Sequence, residues 1–244
     1  SKFKNIMHRK GAQDKKRAKI FSRLGREISV SVKTGGSDSE SNIRLRSAIS
    51  EAKALNMPKD NIERAIKKGN GNDPNLNYEE IRYEGYGPDG IAIIVEAITN
   101  NKNRTAAEIR SIFSKSGGNL GENGSVSFGF ERLGTITLEK QLASEEELFE
   151  FAVEHGSKDL ESSDEEHIVY CDQTNLQILN EKITSRFGQT TSSELIWKSE
   201  NTIEVEKETA EKLFKLLNSL EDNEDVQSVS SNFEVSEEIL ASLT

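Results

Sequence analysis

Cysteine and histidine are scarce in this chain. One cysteine and three histidines occur in 244 residues, and His8, His155, His167 and Cys171 show no zinc-type spacing. A single cysteine excludes an internal disulfide framework and fits a reducing compartment. Cys171 lies in the apolar run Ile168-Val169-Tyr170-Cys171, where a buried, inert thiol is expected. No apolar run approaches the ~20 residues that span a bilayer; the longest, Ile91 to Val95, is strand-sized. The opening residues Ser-Lys-Phe-Lys-Asn-Ile lack the apolar segment and cleavage site of a secretory signal. A cytoplasmic location is expected, or an organelle after removal of a targeting segment, with no membrane partner. The glycine-rich stretch Gly117 to Gly124 contains no Gly-Lys-Ser/Thr. It also leaves a helix and enters a strand, the reverse of the order that turns helix amides toward a phosphate. A turn requiring positive φ is expected there. Acidic groups such as Glu165-Glu166 and Asp222/Glu224/Asp225 stand among other acids and read as solvated charge. Nothing assembles a catalytic site, so a non-enzyme is expected, with no metal, cofactor or small-molecule substrate.

What is present is a split of charge. Residues 1–75 hold 18 Lys/Arg against 8 Asp/Glu, whereas the remainder holds 14 against 34, within a net charge of −10. A basic module is thus joined to an acidic body, and such asymmetry points to a polyanion partner. Nucleic acid leads, because phosphate contacts supply most of its non-specific binding energy.

The basic module reads as three helices. Over Gln13–Val32, at about 100° per residue, Lys15, Lys16, Lys19, Arg23 and Arg26 share one arc. Ile20, Phe21, Leu24, Ile28 and Val32 share the opposite one, where Arg17 is expected to snorkel. Charge reversal at Lys15, Lys19 and Arg23 together is expected to abolish polyanion binding while the fold survives. A second helix is expected over about 42–56, with Arg46 and Lys53 on one flank. A third begins at Pro58, carries Lys59 and Arg64, and stops at Gly69. Lys67 and Lys68 suit either a ligand or the helix dipole.

From Tyr78 the period becomes strand-like. A hairpin flanks Gly85 to Gly90, a helix is expected over about 105–116 behind a Thr105-Ala-Ala-Glu108 capping box, and a strand over 125–131. The loop Asn100 to Thr105, with Lys102 and Arg104, follows a strand and opens a helix, a place that can hold a phosphate. The next six elements run βαββαβ, the split βαβ order. A strand at 202–206, a helix and a strand at 226–233 complete the earlier unit. The expected class is α+β: a basic three-helix domain (1–77), then two ferredoxin-like α/β domains, the last (134–199) inserted in the middle one (78–133 plus 200–244).

Five blocks carry a resemblance. His8-Arg9-Lys10-Gly11-Ala12-Gln13-Asp14, Asn56-Met57-Pro58-Lys59-Asp60-Asn61-Ile62-Glu63-Arg64-Ala65-Ile66-Lys67-Lys68-Gly69, Tyr83-Glu84-Gly85-Tyr86-Gly87-Pro88, Asn103-Arg104-Thr105-Ala106-Ala107-Glu108 and Gly117 to Val126 are similar to those of the YebC/PmpR family. The resemblance runs over essentially the whole chain. It implies a helical N-terminal domain followed by two α/β domains, and nucleic-acid-linked control of gene expression. The leading expectation is a DNA-binding transcriptional regulator. The alternative is a ribosome-associated translational activator holding ribosomal RNA through the same basic domain. A third class is an adaptor for an acidic protein surface. No recognition helix rich in Asn, Gln and Arg stands out, nor do the stacking aromatics of an RRM sheet. The expected nucleic-acid contacts are His8, Arg9, Lys10, Lys15, Lys16, Lys19, Arg23, Arg26, Arg46, Lys53, Lys59, Arg64, Lys102 and Arg104.

Overall fold

A computed structural model describes residues 13–243, with side chains from Lys16 onward. The first three helices are α1 (Gln13–Gly35), α2 (Ile43–Ala54) and α3 (Lys59–Asn70). Their apolar faces meet as the periodicity predicts: Leu24, Ile28 and Val32 of α1 bury against Leu45, Ala48 and Ala52 of α2 and Ile62 and Ala65 of α3. Asn42 caps α2 by accepting from the Leu45 N–H at 3.1 Å. Its amide also donates to the Ser31 and Gly36 carbonyls, both at 2.7 Å, so one side chain ties the turn to α1. Gly69 does not stop α3, which continues to Asn70. Its role is close packing: a Cβ there would stand 2.5 Å from the Ser29 carbonyl oxygen.

The chain then forms β1 (Glu79–Tyr86), β2 (Ala92–Thr99), α4 (Lys102–Lys115) and the two-residue β3 (Asn119–Leu120). β4 (Phe130–Glu139), α5 (Glu145–Glu154), β5 (Ser157–Ser162), β6 (Glu166–Asp172), α6 (Leu176–Phe187) and β7 (Ser192–Ser199) follow. Last come β8 (Ile203–Glu204), α7 (Lys207–Asp222), β9 (Val226–Ser231), β10 (Phe233–Glu234) and α8 (Glu237–Leu243).

One antiparallel sheet has the order β3-β1-β2-β9, so the chain returns from beyond residue 200 to pair β9 with β2. Ile93 and Val95 of this sheet pack under Ile109 and Phe113 of α4 and Leu213, Leu216 and Leu220 of α7. The other four-stranded sheet has the order β5-β6-β4-β7, every pair antiparallel, as split βαβ order requires. Its core joins Ile136, Leu138 and Val169 to Leu148 of α5 and Leu179 and Ile183 of α6. At edge strand β5 the register breaks between Ser157 and Asp159, leaving Lys158 as a bulge.

Three local expectations are corrected. The strand expected over 125–131 exists only from Phe130, because residues 127–129 form a 3₁₀ turn. The strand expected over 202–206 shrinks to β8, which pairs parallel with β10 outside both main sheets. α4 starts at Lys102, not Thr105, because the Asn101 side chain accepts from the Arg104 N–H and caps it. Thr105 lies one turn inside, fully buried.

The second face of the middle sheet meets the inserted domain through Ala92, Ile94, Val126, Phe130 and Trp197. The Trp197 ring has the Arg82 guanidinium at 5.1 Å and that of Arg132 at 5.0 Å. Its Nε1 donates to Glu96, which also accepts from Arg132 at 3.0 Å and Ser228 at 3.2 Å. No helix among the described residues is long and apolar enough to cross a membrane.

Candidate nucleic-acid interface

The cationic arc of α1 divides. Lys19, Arg23 and Arg26 turn toward the chain's own acidic body, not outward as the arc suggests. Arg23 donates through Nε to the Val226 carbonyl at 3.0 Å and through Nη2 to the Glu221 carbonyl and Oε2, both at 2.9 Å. Arg26 donates to the Ile98 carbonyl at 2.6 Å and to Asp225 Oδ1 at 2.5 Å. Lys19 stands 3.8 Å from Asp222. Burial and the Arg23 charge hold its ammonium below its ordinary pKa against the pull of Asp222 and Glu221. The physical reason is that the helix is covered on every side from residue 23 to residue 32, where no residue is exposed. Val30, at about 60° within the same arc at 100° per residue, is only 2% exposed. An aliphatic residue in a cationic stripe was the one sequence signal that this stripe is partly interior.

Asp225 is the centre of that docking. It read as solvated charge, yet its side chain is 3% exposed. It accepts from Arg26, from Arg104 Nη2 at 3.2 and 3.0 Å, and from the Thr105 hydroxyl at 2.7 Å. Burial alone would raise its pKa, but the bonds from Arg26, Thr105 and Arg104 hold it below the usual carboxylate range. The loop from Asn100 to Thr105, a place suited to a phosphate, thus already holds an anion, and that anion is this chain's own side chain.

The glycine-rich stretch is likewise filled from within. The buried Glu84 carboxylate accepts from the N–H groups of Gly124 at 2.6 Å, Ser127 at 2.7 Å and Val126 at 3.2 Å, and pairs with Arg82 at 3.2 Å. Burial would raise its pKa; the Gly124, Ser127 and Val126 bonds outweigh this and bring it to about 2. Gly124 has φ of +90°, the left-handed conformation expected of this turn.

Of the remaining expected contacts, Arg46 bonds Glu181 of α6 at 2.6 Å and the Ser39 and Glu40 carbonyls. Ser47 bonds Gln177 nearby, so α2 is fastened to the inserted domain. Lys102 pairs with Glu79 at 3.1 Å. Lys16 is half-buried, and Lys53, Lys59 and Arg64 are exposed on α2 and α3 together with Lys67. Lys59 lies 3.6 Å from Glu63, a pair open to solvent on both sides. Lys53, Arg64 and Lys67 make no ion pair with the described residues. His8, Arg9, Lys10 and the Lys15 side chain lie outside the described residues.

Glu51 lines a small cleft between α2 and β7 with Ser47, Ser50, Asn180 and residues 189–193. Burial, then the charges of Glu194 and Glu27, push its carboxyl up to about 7. The folded state therefore holds a proton that the unfolded chain releases near pH 4.5. Stability falls as pH rises from there through about 7. Glu51→Gln is expected to raise the unfolding midpoint at pH 8 by a few degrees, about 1 kcal/mol after solvent screening, and to leave it unchanged at pH 4. Calorimetry at the two pH values checks this; an equal shift at both would refute the titration.

The helix-free face of the inserted sheet offers no stacking platform. Tyr170 is 7% exposed, lies under the Lys198 ammonium at 4.1 Å and donates to Glu161. Lys158 beside it joins Glu131 and Asp172, each at 2.8 Å. His155 and His167 are bonded to the Phe151 and Ala143 carbonyls, and burial pushes the Cys171 thiol up to about 11.

Comparison with known proteins agrees with this architecture over most of the chain. A model of the TACO1/YebC protein N-terminal domain matches residues 1–72, and a model of the TACO1/YebC second and third domain matches residues 78–233. A conserved hypothetical protein from Aquifex aeolicus, known from a crystal structure, is 46% identical, with a TM-score of 0.85 over 92% of this chain and 93% of that one. With the helical domain matched by the first model, and the middle and inserted βαββαβ domains by the second through residue 233, this chain belongs to the TACO1/YebC family.

Proposed function

We propose that this protein regulates gene expression by binding the phosphate backbone of structured nucleic acid, without catalysis, through the outward cations of α2 and α3. The observation that carries this reading is the sorting of charge. The body engages Lys19, Arg23, Arg26, Arg46 and Arg104, yet leaves Lys53, Arg64 and Lys67 exposed. Ribosomal RNA suits the arrangement better than a DNA operator. The outer face of α3 presents Lys59, Asp60, Glu63, Arg64 and Lys67, a set that meets phosphates and shape instead of reading base edges. Several interdomain bonds fix the three domains for one shaped partner. Duplex DNA is the second reading, favoured by an exposed α3 of 12 residues, a size that fits a major groove.

Reversal of Lys53, Arg64 and Lys67 to glutamate is expected to weaken binding about 100-fold at near-physiological salt. The slope of log K against log salt should flatten by roughly 1 for each phosphate that is no longer neutralised. Circular dichroism should be unchanged. An unaltered slope would reject this face. Sedimentation of a lysate with DNase or RNase then separates the two polyanions: DNase-insensitive co-migration with ribosomal particles supports RNA, and DNase-sensitive heavy complexes support DNA.

A further inference from the structure

Phe128 is 81% exposed, although Val126 and Phe130 on either side of it are 2% and 7% exposed. Its mount is held from both directions. Before it, the Ser127 and Val126 amides are fixed on the buried Glu84, and the Tyr86 hydroxyl donates to the Ser125 carbonyl at 3.1 Å. After it, the Glu200 N–H donates to the Gly129 carbonyl at 3.0 Å, and the Gly129 N–H closes the 3₁₀ turn on Val126. The ring therefore stands in water because the backbone places it there. We propose that Phe128 is a stacking platform for an unpaired base of the nucleic-acid partner, an assignment that rests on the nucleic-acid reading above and adds base stacking to phosphate binding.

The surroundings of the ring select this occupant. The exposed residues of the same loop are Gly121, Glu122, Asn123 and Gly124, with Ser125 and Ser127 half-buried. None is a second large apolar group. A protein anchor needs a wider rim that excludes water, in an interface of about 800 Å² per partner. A base needs one flat aromatic face and polar groups for its edges, and such stacking tolerates any sequence. Tyr170, the aromatic on the open sheet of the inserted domain, is covered by Lys198 and cannot serve instead.

The test uses the full chain, a stem–loop RNA with an unpaired loop, and a fully paired RNA of equal charge. Phe128→Ala is expected to weaken stem–loop binding about 10-fold, with the salt slope kept, because every phosphate keeps its cation. Paired RNA should bind as before, and Phe128→Trp should restore affinity with fluorescence quenched by the stem–loop. If the wild type binds the stem–loop and Phe128→Ala binds it equally well, the platform is wrong while the nucleic-acid reading stands. If Phe128→Ala loses only its hold on intact ribosomes, the ring meets protein and the proposal is overturned. If the wild type binds neither RNA at low salt, the RNA reading falls and takes the platform with it.

Discussion

Asp225→Ala is expected to lower the unfolding midpoint by roughly 10 °C and to loosen α1 from the middle domain. The residue terminates bonds from Arg26, Arg104 and Thr105. Arg26 is 12% exposed, so its charge would be left nearly buried, with the Ile98 carbonyl and the face of the Tyr78 ring as its partners among the described residues but no anion. Removing one member of a buried pair costs about 3–5 kcal/mol, and in a chain of this size each kcal/mol moves the midpoint about 2–4 °C. Asp225→Asn keeps the shape but not the charge and should fall between alanine and wild type. Faster hydrogen exchange in the second half of α1 would report the loosening directly. A midpoint within two or so degrees of wild type would mean that the hub contributes little. Acid should mimic the variant: a carboxylate with a depressed pKa stabilises the fold above its ordinary pKa, and that stability is lost as pH falls through the lower folded value. Arg23→Glu belongs with this set, as a test of domain docking and not of polyanion binding.

Glu84→Ala should be comparably severe, for a different reason. The variant removes the acceptor for three backbone N–H groups, and each buried donor left unpaired costs about 1–3 kcal/mol. The expected total is about 3–5 kcal/mol, read by urea unfolding at pH 7. The pH dependence follows from a folded pKa of about 2 against an ordinary 4.5. Between these values the unfolded chain takes up a proton that the folded chain refuses. The contribution, about 3 kcal/mol, is complete above pH 4.5 or so and is lost as pH falls through about 2. Glu84→Gln should flatten that acid limb. An acid limb equal to that of wild type would show that the loop amides do not hold a carboxylate in solution. Because the same amides mount Phe128, Glu84→Ala should also weaken stem–loop binding when measured where the chain remains folded.

The regular elements were legible because each is written in a local period. Leu24, Ile28 and Val32 mark a helix face, and Thr135 to Leu138 and His167 to Cys171 alternate or run as strands do. Antiparallel pairing in βαββαβ order then follows from few alternatives. Pairings distant in sequence were not legible. Arg26 and Asp225 lie 199 positions apart, and a run such as Glu221 to Asp225 looks the same whether it faces water or an arginine. The predicted stripe therefore placed Arg23 and Arg26 outside. Gly69 and Thr105 failed in another way: each fits a helix-end rule, but the glycine serves close approach of α1 and α3, and Asn101 is the better-placed cap. Glu84 and the glycine-rich stretch are both conspicuous in the sequence. Nothing local says that one is the ligand of the other.

The bulge at Lys158 has a consequence for how the molecule behaves in a crowded solution. β5 is the free margin of its sheet, and an unpaired margin invites another chain to add a strand and begin a fibre. Here the two-for-one count at Lys158 breaks the straight row of amides and carbonyls, and Lys158, Asp159 and Glu161 line the six-residue strand with charge of both signs. An incoming strand would find its hydrogen bonds out of step and its side chains facing ions. The irregularity disfavours edge-to-edge pairing between separate copies at this margin.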